Sequence, residues 1–206
     1  MNVVGVVKMV IDRLKRSYEL RKYNPYTIAE YLRKKGTQIG EGCMIIPTDV
    51  GAEPYLVKIG NHVAIASGVV FITHDGGPWI FRDEISDIQV FGPIIIEDNC
   101  VLGQNAILFP NIRIGKNSIV GAGSVVITDV PPDTIVMGAP ARPLGSVEKY
   151  KTKCIERWNL QRPPNYRLDA GETWWNTKYF NENRQKLKEH LLSIFSEQLF
   201  GKDQRS

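Results

Sequence analysis

From Ile96 onward an aliphatic residue returns at every sixth position: Ile96, Leu102, Leu108, Ile114 and Val120. The fifth place of each block of six is small or apolar (Cys100, Ala106, Ile112, Ser118, Ser124), and the second place is glycine in three of the five blocks. A period of six matches neither the 3.6 of a helix nor the alternation of two of a plain hairpin sheet. It predicts very short strands joined by tight corners and coiled into a solenoid. The aliphatic residues fill the axis, the small residues share the interior, and Gly and Asn relieve corners that call for positive φ. An antiparallel sandwich would instead need strict alternation with turns every eight to twelve residues, and neither is present.

The same frame extends backward through Phe71, Ile65 and Ile59, and earlier through Ile45 and Ile39. It breaks twice. Between Ile45 and Ile59 the phase slips by two residues, around Gly51-Ala-Glu-Pro-Tyr55. Between Phe71 and Ile96 lie 25 residues, one more than four sixes, so a stretch from about 74 to 93 leaves the coil as a loop. The coil is thus expected over residues 37–143, closed by Pro131-Pro132 and the Gly138-Ala-Pro-Ala141 segment. Residues 1–36 read as two helices that cover its open end. The second starts near Asn24-Pro25, with Asn as cap, and stops at Lys35-Gly36. Residues 144–206 read as a helical extension, with one helix from Lys149 to Arg157 and another carrying Phe180, Leu187, Leu191 and Ile194, capped by Asn181. The adjacent Trp174 and Trp175 are expected to pack rather than to wall a pocket.

Composition narrows the class. A chain of 206 residues with 43% apolar residues suits one domain with appendages. The net charge of +4 is mild, and the basic residues near Arg13–Lys22 and Arg33–Lys35 read as solvated helix faces, not a nucleic-acid surface. No apolar run reaches membrane-spanning length. Val3, Val7, Val10 and Leu14 form one helical stripe, expected to pack on the coil or on a partner subunit, so membrane contact is not expected. Three cysteines far apart and no signal peptide point to the cytoplasm. Cys43 and Cys100 occupy the small interior slot and read as buried thiols. No Cys/His spacing suggests a metal.

Candidate chemistry concentrates at the two breaks. Thr73-His74-Asp75-Gly76-Gly77-Pro78-Trp79 opens the excursion, and His74 stands at its root. Trp79 and Phe81 are large apolar groups on a loop, and such groups call for a ligand or a neighbouring subunit. Imidazole is the side chain best suited to take a proton near neutral pH. Asp49, Glu53 and Asp75 are the carboxylates available to orient it. Asp49, Glu53, Tyr55 and Trp79 are also candidates for holding an acceptor. His62 reads as a structural corner residue and His190 as a surface residue of the last helix.

On these residues, the chain over about 37–143 resembles the hexapeptide-repeat acyltransferases. The repeat and the Val120-Gly-Ala-Gly-Ser-Val…Gly138-Ala-Pro-Ala-Arg142 ending are the specific parts of that resemblance. Phe71-Ile-Thr-His-Asp-Gly-Gly77 is most similar to the polysaccharide and xenobiotic O-acetyltransferase branch, and less so to the maltose and galactoside branch, whose His is followed by Pro. The resemblance implies a left-handed parallel β-helix, against the usual right-handed crossover preference. It implies a homotrimer with active sites between subunits, acetyl-CoA as acyl donor and His74 as general base. It places Gly103, Gln104, Gly121, Ala122, Thr128 and Arg142 where relatives contact the coenzyme. Many relatives carry Thr-Lys before the Asp of the closing segment; Ile127 and Thr128 stand there instead, so Arg142 or another subunit's basic residue is left to meet the phosphates. The acceptor implied is a sugar hydroxyl of a surface polysaccharide or its precursor, with an antibiotic hydroxyl or serine as alternatives. A three-His zinc hydratase and a non-catalytic scaffold are the other classes on such a coil; the chain's three His are too scattered for the first, and His74 with its Gly-Gly loop argues against the second.

Overall fold

The computed structural model describes residues 3–164, 166 and 177–200. They fall into two compact units, Met1–Glu148 and Lys149–Ser206.

The first unit is a left-handed parallel β-helix with three walls. The first wall stacks Gln38–Ile39, Val57–Ile59, Ile94–Ile96 and Ile112–Ile114. The second stacks Met44–Ile45, Ala64–Ile65, Val101–Leu102, Ile119–Val120 and Thr134–Met137. The third stacks Val70–Phe71, Ile107–Leu108 and Val125–Val126. All these rungs pair in parallel, as the hexad frame requires. The aliphatic position lies on the axis: Ile96, Leu102, Leu108, Ile114 and Val120 are at most 1% exposed. The fifth position shares that interior, and its two hydroxyls are satisfied there. Ser118 Oγ donates to the Pro131 carbonyl at 2.8 Å, and Ser124 Oγ accepts from Gly138 N–H. Cys43 and Cys100 are buried, and each thiol donates to a carbonyl of the neighbouring rung at 3.2 Å.

The corners divide the work between two hexad positions. Positive φ falls on the fourth position, at His62, Asn99, Asn105, Asn111 and Asn117. At the corner between the first and second walls these side chains form a column. His62 Nδ1 lies 2.7 Å from Asn99 Oδ1, Asn99 donates to Asn117, and Asn117 donates to Asp133, each at 2.9 Å. His62 is therefore a corner residue. The glycines of the second position have ordinary φ, contrary to the expectation that they relieve positive-φ corners. They are demanded by close approach: a Cβ on Gly103 would collide with the backbone of Ala122 on the next rung.

Both breaks are insertions, whereas the last rung is two residues short, with Ile119 paired to Ile135. Regular partners lie 18 residues apart. Across the first break they lie 20 apart, as in Ile39↔Ile59. Across the second they lie 37 apart, as in Ile59↔Ile96. The second insertion is structured rather than a bare loop. His74–Asp75 pairs antiparallel with Val90–Phe91, and Gly77–Phe81 forms a 3-10 turn at the far side.

Helix α1 (Val3–Leu20) and helix α2 (Ile28–Lys34) precede the coil. Ile28, Ala29, Tyr31 and Leu32 of α2 are buried in the core. This helix begins later than expected: Asn24 Oδ1 accepts from Tyr26 and Thr27 N–H groups in a turn, and Thr27 stands at the cap. Gly36, with φ of 106°, ends it. Leu20 packs against the core and Arg16 pairs with Asp49, whereas Val7, Val10 and Leu14 are exposed. The apolar stripe of α1 does not pack on the coil. The closing strand Arg142–Ser146 pairs antiparallel with Thr134–Met137, so the second wall runs a little past residue 143.

The second unit, taken by itself, holds most of α3 (Val147–Gln161), then α4 (Thr177–Ile194) and α5 (Ser196–Phe200). Asn181 lies inside α4 rather than capping it, and His190 is half-buried on the same helix. Trp174 and Trp175 lie outside the described residues. No helix among the described residues is long and apolar enough to cross a membrane, and those residues contain no group of three or more His, Cys, Asp or Glu placed to hold a metal.

Candidate active site

The two insertions meet at the corner between the third and first walls. Val70–Phe71 runs toward that corner, and its next residues, Ile72, Thr73 and His74, would turn it in a regular coil. Instead the chain leaves at His74, and Gly92 N–H bonds the Thr73 carbonyl at 3.0 Å where it returns. The slipped segment lies against the same strand. Gly51 has φ of 98°, and a Cβ there would sit 2.8 Å from the Phe71 carbonyl oxygen. Only glycine allows that approach. The following residues enter a 3-10 turn at Pro54–Leu56, which leaves Glu53 facing Thr73 and His74.

The central contact is Glu53 Oε2 with His74 Nδ1, at 3.0 Å. The buried Thr73 hydroxyl donates to the same oxygen. These bonds, Thr73's first and His74's second, hold the Glu53 carboxyl below its ordinary value. It is therefore ionised at neutral pH and an acceptor only. A neutral His74 beside it carries its proton on Nδ1, which leaves the Nε2 lone pair free. The carboxylate is 14% exposed and the imidazole 51% exposed, so the ring is backed by protein on one side and open on the other. Phe91, its partner across the hairpin, meets it edge-on at 6.2 Å between centroids.

His74 borders two clefts. One, of about 210 Å³, lies under the excursion and is lined by Glu53, Asp75, Trp79, Arg82 and Gln89 among others. The other, of about 620 Å³, runs along the corner of the coil. Its floor is Ile72, Phe109 and Ile127, the same outward position on three successive rungs, with Phe91, Pro110 and Asn111 beside them. That volume lies within the range of about 300–1,000 Å³ usual for small-molecule sites.

The expected site residues are distributed as follows. His74 and Glu53 are brought together. Asp75 borders both clefts, but its carboxylate accepts from Gly77 N–H at 2.8 Å and so shapes the loop. Trp79 is 70% exposed on the wall of the smaller cleft. Asp49 is drawn away: it pairs with Arg16 of α1 at 2.8 Å and accepts from Gly51 N–H, around a separate hollow of about 220 Å³. Tyr55 is exposed beside Gly36 and lines neither cleft at His74. Among the coenzyme candidates, Gly103, Gln104, Gly121 and Ala122 share the corner between the second and third walls, where the Gln104 carbonyl accepts from Gly123 N–H. Thr128 follows Ile127 at the other corner, beside the larger cleft. Arg142 lies on the closing strand, where its guanidinium donates to the Ala141 carbonyl. Sequence reasoning passed over Thr73, whose hydroxyl steadies Glu53, and Arg82. Thr73 had a signal, being a polar residue just before the departure of the chain; Arg82 had none.

Comparison with known proteins bears on the chemistry. The family model for the hexapeptide repeat of succinyl-transferase matches residues 93–128. Protein CapG of Staphylococcus aureus is 47% identical over 138 residues, which are 66% of this chain and 80% of that protein. The chain belongs to the hexapeptide-repeat acyltransferases. A second relative, the galactoside O-acetyltransferase of Lactococcus lactis, is 31% identical to this acyltransferase over 59% of its length and 71% of the relative's. A solved hexapeptide-repeat acetyltransferase of Vibrio cholerae, complexed with acetyl coenzyme A, is 27% identical over 57% of this chain and 75% of its own, with a TM-score of 0.41.

Proposed function

We propose that this acyltransferase moves the acetyl group of acetyl-CoA onto a hydroxyl of a sugar in a surface polysaccharide or its precursor, with His74 as general base. The observation that supports this most is the imidazole itself: Nδ1 is held by an ionised Glu53, Nε2 has no hydrogen-bond partner among the described residues, and the ring borders a polar cleft and an apolar groove at once. The groove suits the slender arm of the donor, and the polar cleft suits the acceptor. Nε2 takes the hydroxyl proton as the oxygen attacks the thioester carbonyl. The tetrahedral oxyanion then collapses, the C–S bond breaks, and the departing thiolate receives the proton back from the imidazolium. Glu53 stabilises that imidazolium and fixes the ring. No covalent enzyme intermediate is required, because a thioester is already activated.

Gly103, Gln104, Gly121, Ala122, Thr128 and Arg142 are proposed to contact the coenzyme. Four of them share the corner between the second and third walls, Thr128 lies at the corner of the larger cleft and Arg142 on the closing strand, a spread that suits a donor held in a groove between two subunits. This favours the homotrimer with shared sites. A cytoplasmic location beside the acetyl-CoA pool fits the same reading.

The test is thiol release from acetyl-CoA with a panel of sugar acceptors. His74→Ala is expected to lower kcat by about 10²–10⁴-fold, the usual contribution of a positioned proton acceptor. Activity near that of the parent in this variant removes His74 from the mechanism.

A further inference from the structure

The smaller cleft contains a cation that the acetyl-transfer reading does not use. Arg82 lies over the Trp79 ring, with its guanidinium carbon 4.9 Å from the centroid. The local fold explains the contact. Gly77–Phe81 is a 3-10 turn, in which side chains three apart eclipse, and Arg82 is three residues after Trp79. The Arg82 N–H also bonds the Trp79 carbonyl, which fixes the pair.

A guanidinium stacked by its face keeps its edge free, and that edge is a fork of N–H donors matched to a carboxylate or phosphate. Arg82 makes no ion pair among the described residues. The carboxylates that share its cleft are engaged elsewhere, Glu53 with Thr73 and His74, and Asp75 with Gly77 N–H. At about 210 Å³ the cleft is below the usual range for an engulfed ligand, which suits one ring approached at its edge. Trp79, 70% exposed, adds aromatic surface beside it for such a ring.

Resting on His74 as the base, we propose that Arg82 and Trp79 form the acceptor subsite and select a sugar that carries a negative charge. The anionic group meets the Arg82 edge while a hydroxyl of the same acceptor meets His74 Nε2. The charge has two chemical sources, a carboxylate on the sugar ring or the diphosphate of a nucleoside-diphosphate sugar.

The experiment measures kcat/KM by thiol release for matched pairs. One pair is a hexuronic acid against the parent neutral hexose; the other is a nucleoside-diphosphate hexose against the free hexose. The parent enzyme is expected to prefer the charged member of one pair, and which pair identifies the source. Arg82→Met is expected to reduce that preference at least about tenfold, the scale of losing a charge-assisted hydrogen bond. Arg82→Lys is expected to fall between, because a lysine keeps the charge but not the fork. The change should sit mainly in KM. Equal use of charged and neutral members by the parent enzyme, or an unaltered preference in Arg82→Met, overturns the subsite. His74→Ala separates the two readings. If it is inactive while Arg82→Met discriminates as the parent does, only the subsite fails. If it stays active, the base fails whatever Arg82 does.

Discussion

The run from Ile94 to Val126 and the excursion from His74 to Phe91 are neighbours on the same coil, yet they use residues in opposite ways. In the run, strand partners repeat every 18 residues, and at the corner between the first and second walls Asn99 and Asn117 bond along their own column. The run contains no histidine, so it supplies no imidazole for proton transfer. In the excursion, two short strands hold a loop whose His74, Trp79, Ile80 and Phe91 are all substantially exposed. A solenoid is satisfied by repetition, so a functional group has to be introduced by interrupting it. Here two interruptions stack at one corner, the slip supplying Glu53 and the excursion supplying His74.

The sharpest way to break this contrast is to exchange the effects of two substitutions. His74→Ala is expected to cost about 10²–10⁴ in kcat, or roughly 3–5 kcal/mol of transition-state stabilisation. Its melting temperature should be close to that of the parent, since the ring is half exposed and contacts mainly Glu53 and Phe91. Leu108→Ala is expected to do the reverse. Leu108 is fully buried on the axis, and removing such a side chain costs about 2–5 kcal/mol of stability. Denaturant unfolding and thiol release, measured on both variants, check the pair. A large loss of stability in His74→Ala would mean that the excursion is part of the frame after all.

A smaller effect probes the corner column. Asn117 stands at φ of 58°, accepts from Asn99 and donates to Asp133. Asn117→Ala loses both bonds and replaces a residue that tolerates the left-handed region with one that does not, for an expected cost of about 1–3 kcal/mol. Asn117→Gly loses the bonds but not the backbone fit and should cost less. If the two variants unfold alike, the column contributes only through its hydrogen bonds.

How far the sequence disclosed all this depends on range. The hexad marks residues whose environment repeats, so Ile96 through Val120 could be placed on the axis without any other knowledge. The departure at His74 was visible as a break in the count. The choice of Glu53 over Asp49 and Asp75 was not. It depends on the path of the slipped segment, which Gly51 sets by lying against the Phe71 carbonyl. It depends also on Arg16 of α1, 33 residues away, capturing Asp49. Arg82 escaped notice because its meaning lies in a 3-10 turn over Trp79, and no sequence period records a single such turn. Exposure of the apolar stripe on α1 was likewise hidden, since the helical pattern gives a face but not what it meets.

The smallest expected effect concerns acid. Thr73 and His74 hold the Glu53 carboxyl below its ordinary value. A carboxyl lowered in the folded state adds stability that is fully present above its unfolded value, about 4.3, and is lost as pH falls through the lower folded value. The contribution is therefore intact at neutral pH, begins to fall as pH drops past the unfolded value and is gone below the lowered folded one. Glu53→Gln keeps the size of the side chain and a carbonyl that can still accept from the Thr73 hydroxyl, but it has no proton to bind. Its stability should trail that of the parent at pH 7, and the difference should shrink as pH drops toward 3. Urea unfolding of both proteins across that window checks it. Because the regular run contains another lowered carboxyl, Glu97, held first by Arg113 and then by Lys116 N–H, the comparison has a control. Glu97→Gln should show the same convergence without touching thiol release at neutral pH, whereas Glu53→Gln should lower turnover by about tenfold or more by leaving the imidazole without its charged partner. If the two variants turned over acetyl-CoA equally, the corner built by the two insertions would have no more claim on the chemistry than any other corner of the coil.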